Sequence, residues 1–159
     1  MGRDAKDVSE ADALSYVAAY TCGNDISSRK LQRDPAFAGR IPQWGFSKGF
    51  DTFAPLGPCL VNSKLIPDPA KLELKTIVDG EVRQQEMVSD LLFGCPYLIS
   101  YLSQGTTLQK GSVIMTGTPG GEFHSICAVL FLLTSIRCWR GHESAEIFGS
   151  RHEDGGTYF

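Results

Sequence analysis

Apolar and polar positions divide the chain into short periodic blocks separated by turn-forming runs. Ser9 followed three positions later by Asp12 has the form of a capping box. Val8 before it and Ala13 after it are placed as a hydrophobic staple, and Leu14 and Val17 continue the apolar side. A short helix over about 10–16 is predicted. Tyr16 to Cys22 then reads as a buried strand, stopped by Gly23, Asn24 and Asp25, turn formers that put polar side chains at a strand end. From Asp34 to Gly57 no period holds. Pro35, Gly39, Pro42, Gly45, Gly49, Pro55 and Gly57 predict a long ordered loop, and such loops often carry function.

Further on, Leu72, Leu74, Thr76 and Val78 alternate with Glu73, Lys75 and Asp79. Asp79-Gly80 then makes a two-residue turn before Glu81, Val82 and Arg83, the signature of a type I′ hairpin. Pro96 to Ser103 carries Tyr97, Leu98, Ile99, Tyr101 and Leu102 on a wide apolar face. It predicts a helix that begins with Pro96 in its first turn and stops at Gly105. A turn at Lys110-Gly111 leads into a predicted buried strand, Ser112 to Thr116, and then the glycine-rich loop Gly117-Thr118-Pro119-Gly120-Gly121. From Glu122 the texture changes: an apolar run, all three histidines (His124, His142 and His152), no periodic element after Ile136, and no internal repeat anywhere.

Length and composition narrow the class. At 159 residues and 17.3 kDa, with 42% hydrophobic and 21% charged residues, the chain fits one globular domain built on a core. A net charge of −3 and a pI near 5.6 provide no broad positive field, which argues against nucleic acid as a partner. The cysteines, Cys22, Cys59, Cys95, Cys127 and Cys138, include no C-x-x-C pair, which points to reduced thiols and away from a zinc site. Met1 to Ser9 has no apolar core, and the longest apolar run, Ile126 to Leu133, is far short of a bilayer span. A cytoplasmic location with no membrane partner is the expectation, mitochondria remaining open. Pattern alone thus describes a mixed α/β or β-rich, enzyme-like domain.

Segments in chain order say more: Tyr20-Thr21-Cys22-Gly23-Asn24-Asp25-Ile26-Ser27-Ser28-Arg29; Ser47-Lys48-Gly49-Phe50-Asp51; Pro55-Leu56-Gly57-Pro58; Asp79-Gly80-Glu81-Val82-Arg83-Gln84; and Thr116-Gly117-Thr118-Pro119-Gly120. Together these resemble the fumarylacetoacetate hydrolase family, over about Gly2 to Gly121. The resemblance implies an α+β, β-rich fold, a mixed β-sheet roll of the family's C-terminal domain type, commonly a homodimer. It also implies a divalent cofactor, Mg²⁺ or Mn²⁺, and small 2-oxo acid or 1,3-dicarbonyl substrates. Residues 2–121 would form a partial domain of this type and 122–159 a divergent tail.

By the resemblance Asp25 is a metal ligand, in keeping with a hard cation's demand for carboxylate oxygen; taken alone, an Asn-Asp pair at a strand end is a turn or cap. Gln32 matches a substrate-binding glutamine and Arg29 the family's usual arginine; each could equally be a solvated polar side chain. Lys48, flanked by Phe46 and Phe50, matches an active-site lysine whose ammonium would stabilise an oxyanion or enolate, where an arbitrary lysine is a surface charge. Thr52 corresponds to a small polar residue lining the same pocket. Thr118 matches a threonine that binds the substrate carboxylate through its hydroxyl and nearby backbone N–H groups. As a phosphate loop this segment fails, lacking the Walker lysine. The three histidines match nothing in the family and read as solvent-exposed.

Two departures bear on activity. The family's other metal ligands, a Glu-x-Glu pair, and its lid base, a His with a Glu, lie upstream of the position matching Gly2. The strands and Gly-Asp hairpin that follow the Thr-Pro-Gly segment in the family are not recognisable after Glu122. The expectation is a fragment or aberrant product with an incomplete metal site and an open sheet edge, of marginal stability or associated with another chain. Its activity, if retained, is metal-dependent hydrolysis, decarboxylation or tautomerisation through an enolate-type intermediate. The alternatives are a catalytically inactive family remnant that binds ligand or pairs with a related chain, and an unrelated β-rich binding protein.

Overall fold

The computed structural model of the chain describes residues 1–120 and the backbone of two short strands, 128–130 and 147–148. Helix α1 (Glu10–Ala13) starts where the capping box places it: Ser9 Oγ accepts from the Asp12 amide at 3.3 Å. Its last part tightens into a 3-10 turn, Leu14–Tyr16, so the predicted helix is present in two pieces. The staple also holds, with Val8 and Ala13 both buried in the main core cluster.

Strand β1 (Ala19–Asn24) is displaced from its expected place. Tyr16 belongs to the 3-10 turn, and Gly23 and Asn24 continue the strand instead of stopping it, because neighbours pair with them. β1 runs antiparallel to β2 (Leu56–Asn62), with Gly23 opposite Leu56, and to β5 (Ala128–Leu130), with Asn24 opposite Ala128. Ladder bonds outweigh the local preference of Gly and Asn for turns.

The stretch expected to be a single irregular loop also differs. It follows α2 (Arg29–Arg33) and contains α3 (Pro35–Ala38) and α4 (Trp44–Lys48), and its end is already the first residues of β2. These helices are too short for periodicity to reveal. Asp34 caps α3 by accepting from the Ala36 amide at 2.9 Å, with Pro35 in its first turn.

The hairpin is as expected, β3 (Glu73–Val78) and β4 (Glu81–Met87) joined by Asp79 at φ 53° and Gly80 at φ 81°, both left-handed as a type I′ turn requires. Its register slips between Thr76 and Ile77. Val78 pairs with Glu81 and Ile77 with Val82, but Thr76 pairs with Gln84, leaving Arg83 as the extra residue of a bulge. β6 (Ile147–Phe148) lies parallel along β3, completing a second sheet in the order β4-β3-β6 beside the first, β2-β1-β5.

Helix α5 (Cys95–Leu102) carries Ile99 into the core with Met1, Ala5, Val8, Ala13, Val17, Tyr20 and Ile114. Gly105, at φ 66°, lies just beyond its end as expected. Ser112 to Thr116 is not a strand: Ile114 is buried, but no ladder partner lies beside the segment among the described residues. Apolar content marks a segment for burial, whereas a strand is defined by ladder pairing with another segment. The predicted tail beyond 121 lies outside the described residues apart from β5 and β6. No helix of the described residues is long and apolar enough to cross a membrane, and no disulfide joins Cys22, Cys59 and Cys95.

Candidate active site

The end of β1 delivers Asn24 and Asp25 to the seam between the sheet and the short helices. The Asn24 amide donates to the Pro55 carbonyl at 3.1 Å, which ties this end of β1 to the segment entering β2. Two backbone bonds stitch the helices to each other: the Ser28 amide to the Ser47 carbonyl at 2.9 Å, and the Gln43 amide to the Gln32 carbonyl at 3.0 Å. Ser47, fully buried, folds its hydroxyl back on the Trp44 carbonyl at 3.0 Å. Lys48, the next residue, is thereby turned toward β1.

Lys48 Nζ donates to Asp25 Oδ2 in a close ion pair, and both side chains keep about a quarter of their surface exposed. The Trp44 ring lies 5.4 Å from the same ammonium. Phe46, Phe50 and Phe53 follow in a chain of tilted rings with centroids 5.9 and 5.4 Å apart. Phe46 and Phe50 are 58% and 42% exposed, so the lysine sits at an apolar, water-accessible rim.

Gln32 is completely buried on α2. Its Oε1 accepts from Arg29 Nη1 at 2.6 Å, which fixes the amide and turns Nε2 the other way. That Nε2 has no hydrogen-bond partner among the described residues, and neither has the Ser28 Oγ one turn earlier on the chain. A buried amide donor left unpaired costs about 1–3 kcal/mol, and two unpaired groups stand here at adjoining positions with no acceptor among the described residues.

The remaining predicted residues are placed differently. Thr52 is exposed and held at φ 67°, a costly conformation for a β-branched residue, and makes no hydrogen bond with the Asp25–Lys48 pair among the described residues. Thr118 is half-buried in the glycine-rich loop and accepts from Gln84 Nε2 at 2.6 Å. The structure therefore gathers Asp25, Lys48, Arg29 and Gln32 at one seam, and ties Thr118 to the second sheet.

Sequence reasoning overlooked Ser28, Gln84 and Asp90. Ser28 shows no signal in one sequence. Gln84 stood inside the hairpin motif, but regular counting from the Asp79-Gly80 turn puts it on the solvent face opposite Lys75; the bulge turns it inward against Thr76. Asp90 Oδ2 accepts from the Gly120 amide at 2.8 Å, a contact between residues far apart in sequence.

Burial raises the pKa values of two thiols and so makes them weaker acids. Cys22 on β1 is pushed up, mainly by burial and then by the neighbouring Cys59, and burial pushes the Cys95 thiol up to about 11. Both stay protonated at neutral pH and are poor nucleophile candidates. Among the described residues no three His, Cys, Asp or Glu side chains cluster as metal ligands. Asp25, already paired with Lys48, is one carboxylate where Mg²⁺ or Mn²⁺ needs several oxygens, so the described residues do not fit a complete divalent-metal site.

Comparison with known proteins follows the same outline. The family model described as fumarylacetoacetate (FAA) hydrolase C-terminal matches residues 1–146. A Burkholderia multivorans protein with a provisional hydrolase name is 47% identical over 121 residues, 76% of this chain and 41% of its own length. The chain thus spans about two-fifths of the curated relatives it matches. Among solved structures, 5-carboxymethyl-2-hydroxymuconate delta-isomerase from Mycobacterium smegmatis superposes with TM-score 0.65 at 34% identity, over 95% of this chain and 56% of that one. Fumarylpyruvate hydrolase from Pseudomonas aeruginosa, in complex with Mn²⁺ and pyruvate, gives TM-score 0.67 at 28% identity, over 84% of this chain and 62% of that one.

Proposed function

The chain belongs to the fumarylacetoacetate hydrolase family, and from that premise we propose that it carries part of the active site of a hydrolase or isomerase acting on acylpyruvate-like 2-oxo acids. The names of its structural neighbours, one a hydrolase and one an isomerase, support this substrate class. The observation that carries the reading is the seam where the Lys48 ammonium and the orphaned Gln32 Nε2 are held by one pair of stitched helices.

In this reading Gln32 donates from Nε2 to a carbonyl or carboxylate oxygen of the substrate, with Arg29 holding the amide in that orientation. Cleaving a C–C bond next to a carbonyl, or removing a proton there, leaves an electron pair that delocalises onto the carbonyl oxygen as an enolate. Lys48 stabilises that oxygen with its ammonium, beside the Trp44 ring. Thr118 donates its hydroxyl to the substrate carboxylate. Thr52, in its strained turn, is proposed to line the same pocket. The Pseudomonas aeruginosa neighbour is a complex with Mn²⁺ and pyruvate, and a divalent ion at this site would polarise a substrate carbonyl. Asp25 is the one ligand offered to it by the described residues, and no step above passes through it.

A second reading is favoured by one observation. The Asp25 carboxylate is engaged by Lys48, as it would be in an inactive family member that binds ligand or pairs with a related chain. Assay of the purified chain on an acylpyruvate, following loss of its enol absorbance with and without Mn²⁺, separates the two. Turnover that falls at least about a hundredfold in Lys48→Met supports the enzyme. Turnover equal in that variant overturns the role of Lys48, and pyruvate binding without turnover supports the inactive family member.

A further inference from the structure

We propose that Gln84 is a positioning residue that commits the Thr118 hydroxyl to donating its proton to a ligand carboxylate. The proposal rests on the role given above to Thr118.

Gln84 is 2% exposed on β4, turned inward by the bulge that pairs it with Thr76. One end of its amide lies 2.6 Å from Thr118 Oγ1, 2.7 Å from the Pro119 carbonyl oxygen and 3.5 Å from that of Gly120. The other end accepts from Thr76 Oγ1 at 3.2 Å. A backbone carbonyl can only accept, so the end against Pro119 must be the NH₂ group, and the amide orientation follows from chemistry alone. An amide NH₂ has no lone pair to offer a hydroxyl. Thr118 Oγ1 is therefore the acceptor in that bond, and its own proton must point along another direction. No described residue accepts that proton.

The loop has a second tether. The Gly120 amide donates to Asp90 Oδ2 at 2.8 Å, and a Cβ at Gly120 would stand 3.0 Å from that oxygen. Gln84 and Asp90 together hold 118–120 in place. What results is a hydroxyl with one lone pair occupied and its proton directed away from Gln84, the complement of a carboxylate, which only accepts.

Wild type, Gln84→Glu, Gln84→Met, Thr118→Val and the double variant Gln84→Glu/Thr118→Val are titrated with pyruvate by amide NMR, each checked by thermal melting. In Gln84→Glu the carboxylate takes the Thr118 proton for itself, so pyruvate affinity is expected to fall roughly tenfold or more. Thr118→Val shows a similar loss, and the double variant is no weaker than Thr118→Val alone. A merely structural glutamine would give losses that add and that follow the melting temperature. Pyruvate binding equal to wild type in Gln84→Glu, with loss in Thr118→Val, overturns the proposal and leaves Thr118 its role. Wild type whose Gly117, Thr118 and Gly120 amides do not respond to pyruvate overturns the role of Thr118 and the proposal with it. Should Gln84→Glu fail to fold, Gln84→Met serves: it removes the donor without adding an acceptor, and unchanged affinity there overturns the proposal.

Discussion

Gln32→Met separates a side chain kept for packing from one kept for a ligand. Methionine nearly matches glutamine in length and volume, so the fully buried site is refilled with little cavity or strain. Two terms then decide the sign. Removing the orphaned Nε2 relieves the cost of a buried, unpaired donor, about 1–3 kcal/mol. Losing Oε1 forfeits the 2.6 Å bond from Arg29; because Arg29 is exposed, its guanidinium turns to water, and the loss is about 1 kcal/mol. The balance is neutral to stabilising by about 0–2 kcal/mol, which for a domain of this size raises the melting temperature by up to roughly 8 °C. Ligand binding should fall in the same variant. Urea unfolding followed by far-UV circular dichroism, paired with a pyruvate titration, measures both. Destabilisation by more than about 2 kcal/mol would refute the reasoning, because it would mean that Nε2 is satisfied in the folded protein and that the amide is structural.

Two further outcomes follow from the fold. Gly80→Ala forces a Cβ into a φ of 81°; nothing lies within 4 Å of that Cβ, so the cost is backbone strain alone, about 1 kcal/mol, read as a lower urea midpoint with unchanged slope. Cys95 is raised from 9.0 to about 11 by burial, so the unfolded chain loses this proton first as pH rises. Its contribution is intact below pH 9 and is lost progressively between pH 9 and about 11, by about 2–3 kcal/mol; Cys95→Ala should flatten that part of the stability profile, and an equally steep profile would contradict it.

Much of the local structure was legible because it depends on neighbours in sequence. The Ser9 cap, the left-handed Asp79-Gly80 turn and the start of α5 at Cys95-Pro96 each satisfy a requirement that a few consecutive residues can meet. Segments too short for a hydrophobic period were not legible: α2, α3 and α4 span one turn or little more, and their stability comes from bonds to each other rather than from propensity. Ser112 to Thr116 was misread for the complementary reason, since apolar content marks burial while a strand is defined by a ladder, and none pairs this segment with another among the described residues.

By itself, then, the sequence determined family membership, the hairpin and which residues stand as candidates, Asp25, Arg29, Gln32, Lys48 and Thr118, because motif spacing and turn chemistry are carried by the chain alone. Only the tertiary structure decided how those groups are placed. It set Lys48 on Asp25 through helices that sequence could not resolve, left Gln32 Nε2 without a partner among the described residues, and, by one extra residue in β4, turned Gln84 from the solvent face toward Thr118. The physical reason is that hydrogen-bond partners and strand register are set across distant segments, where a shift of a single residue reverses which way every side chain faces.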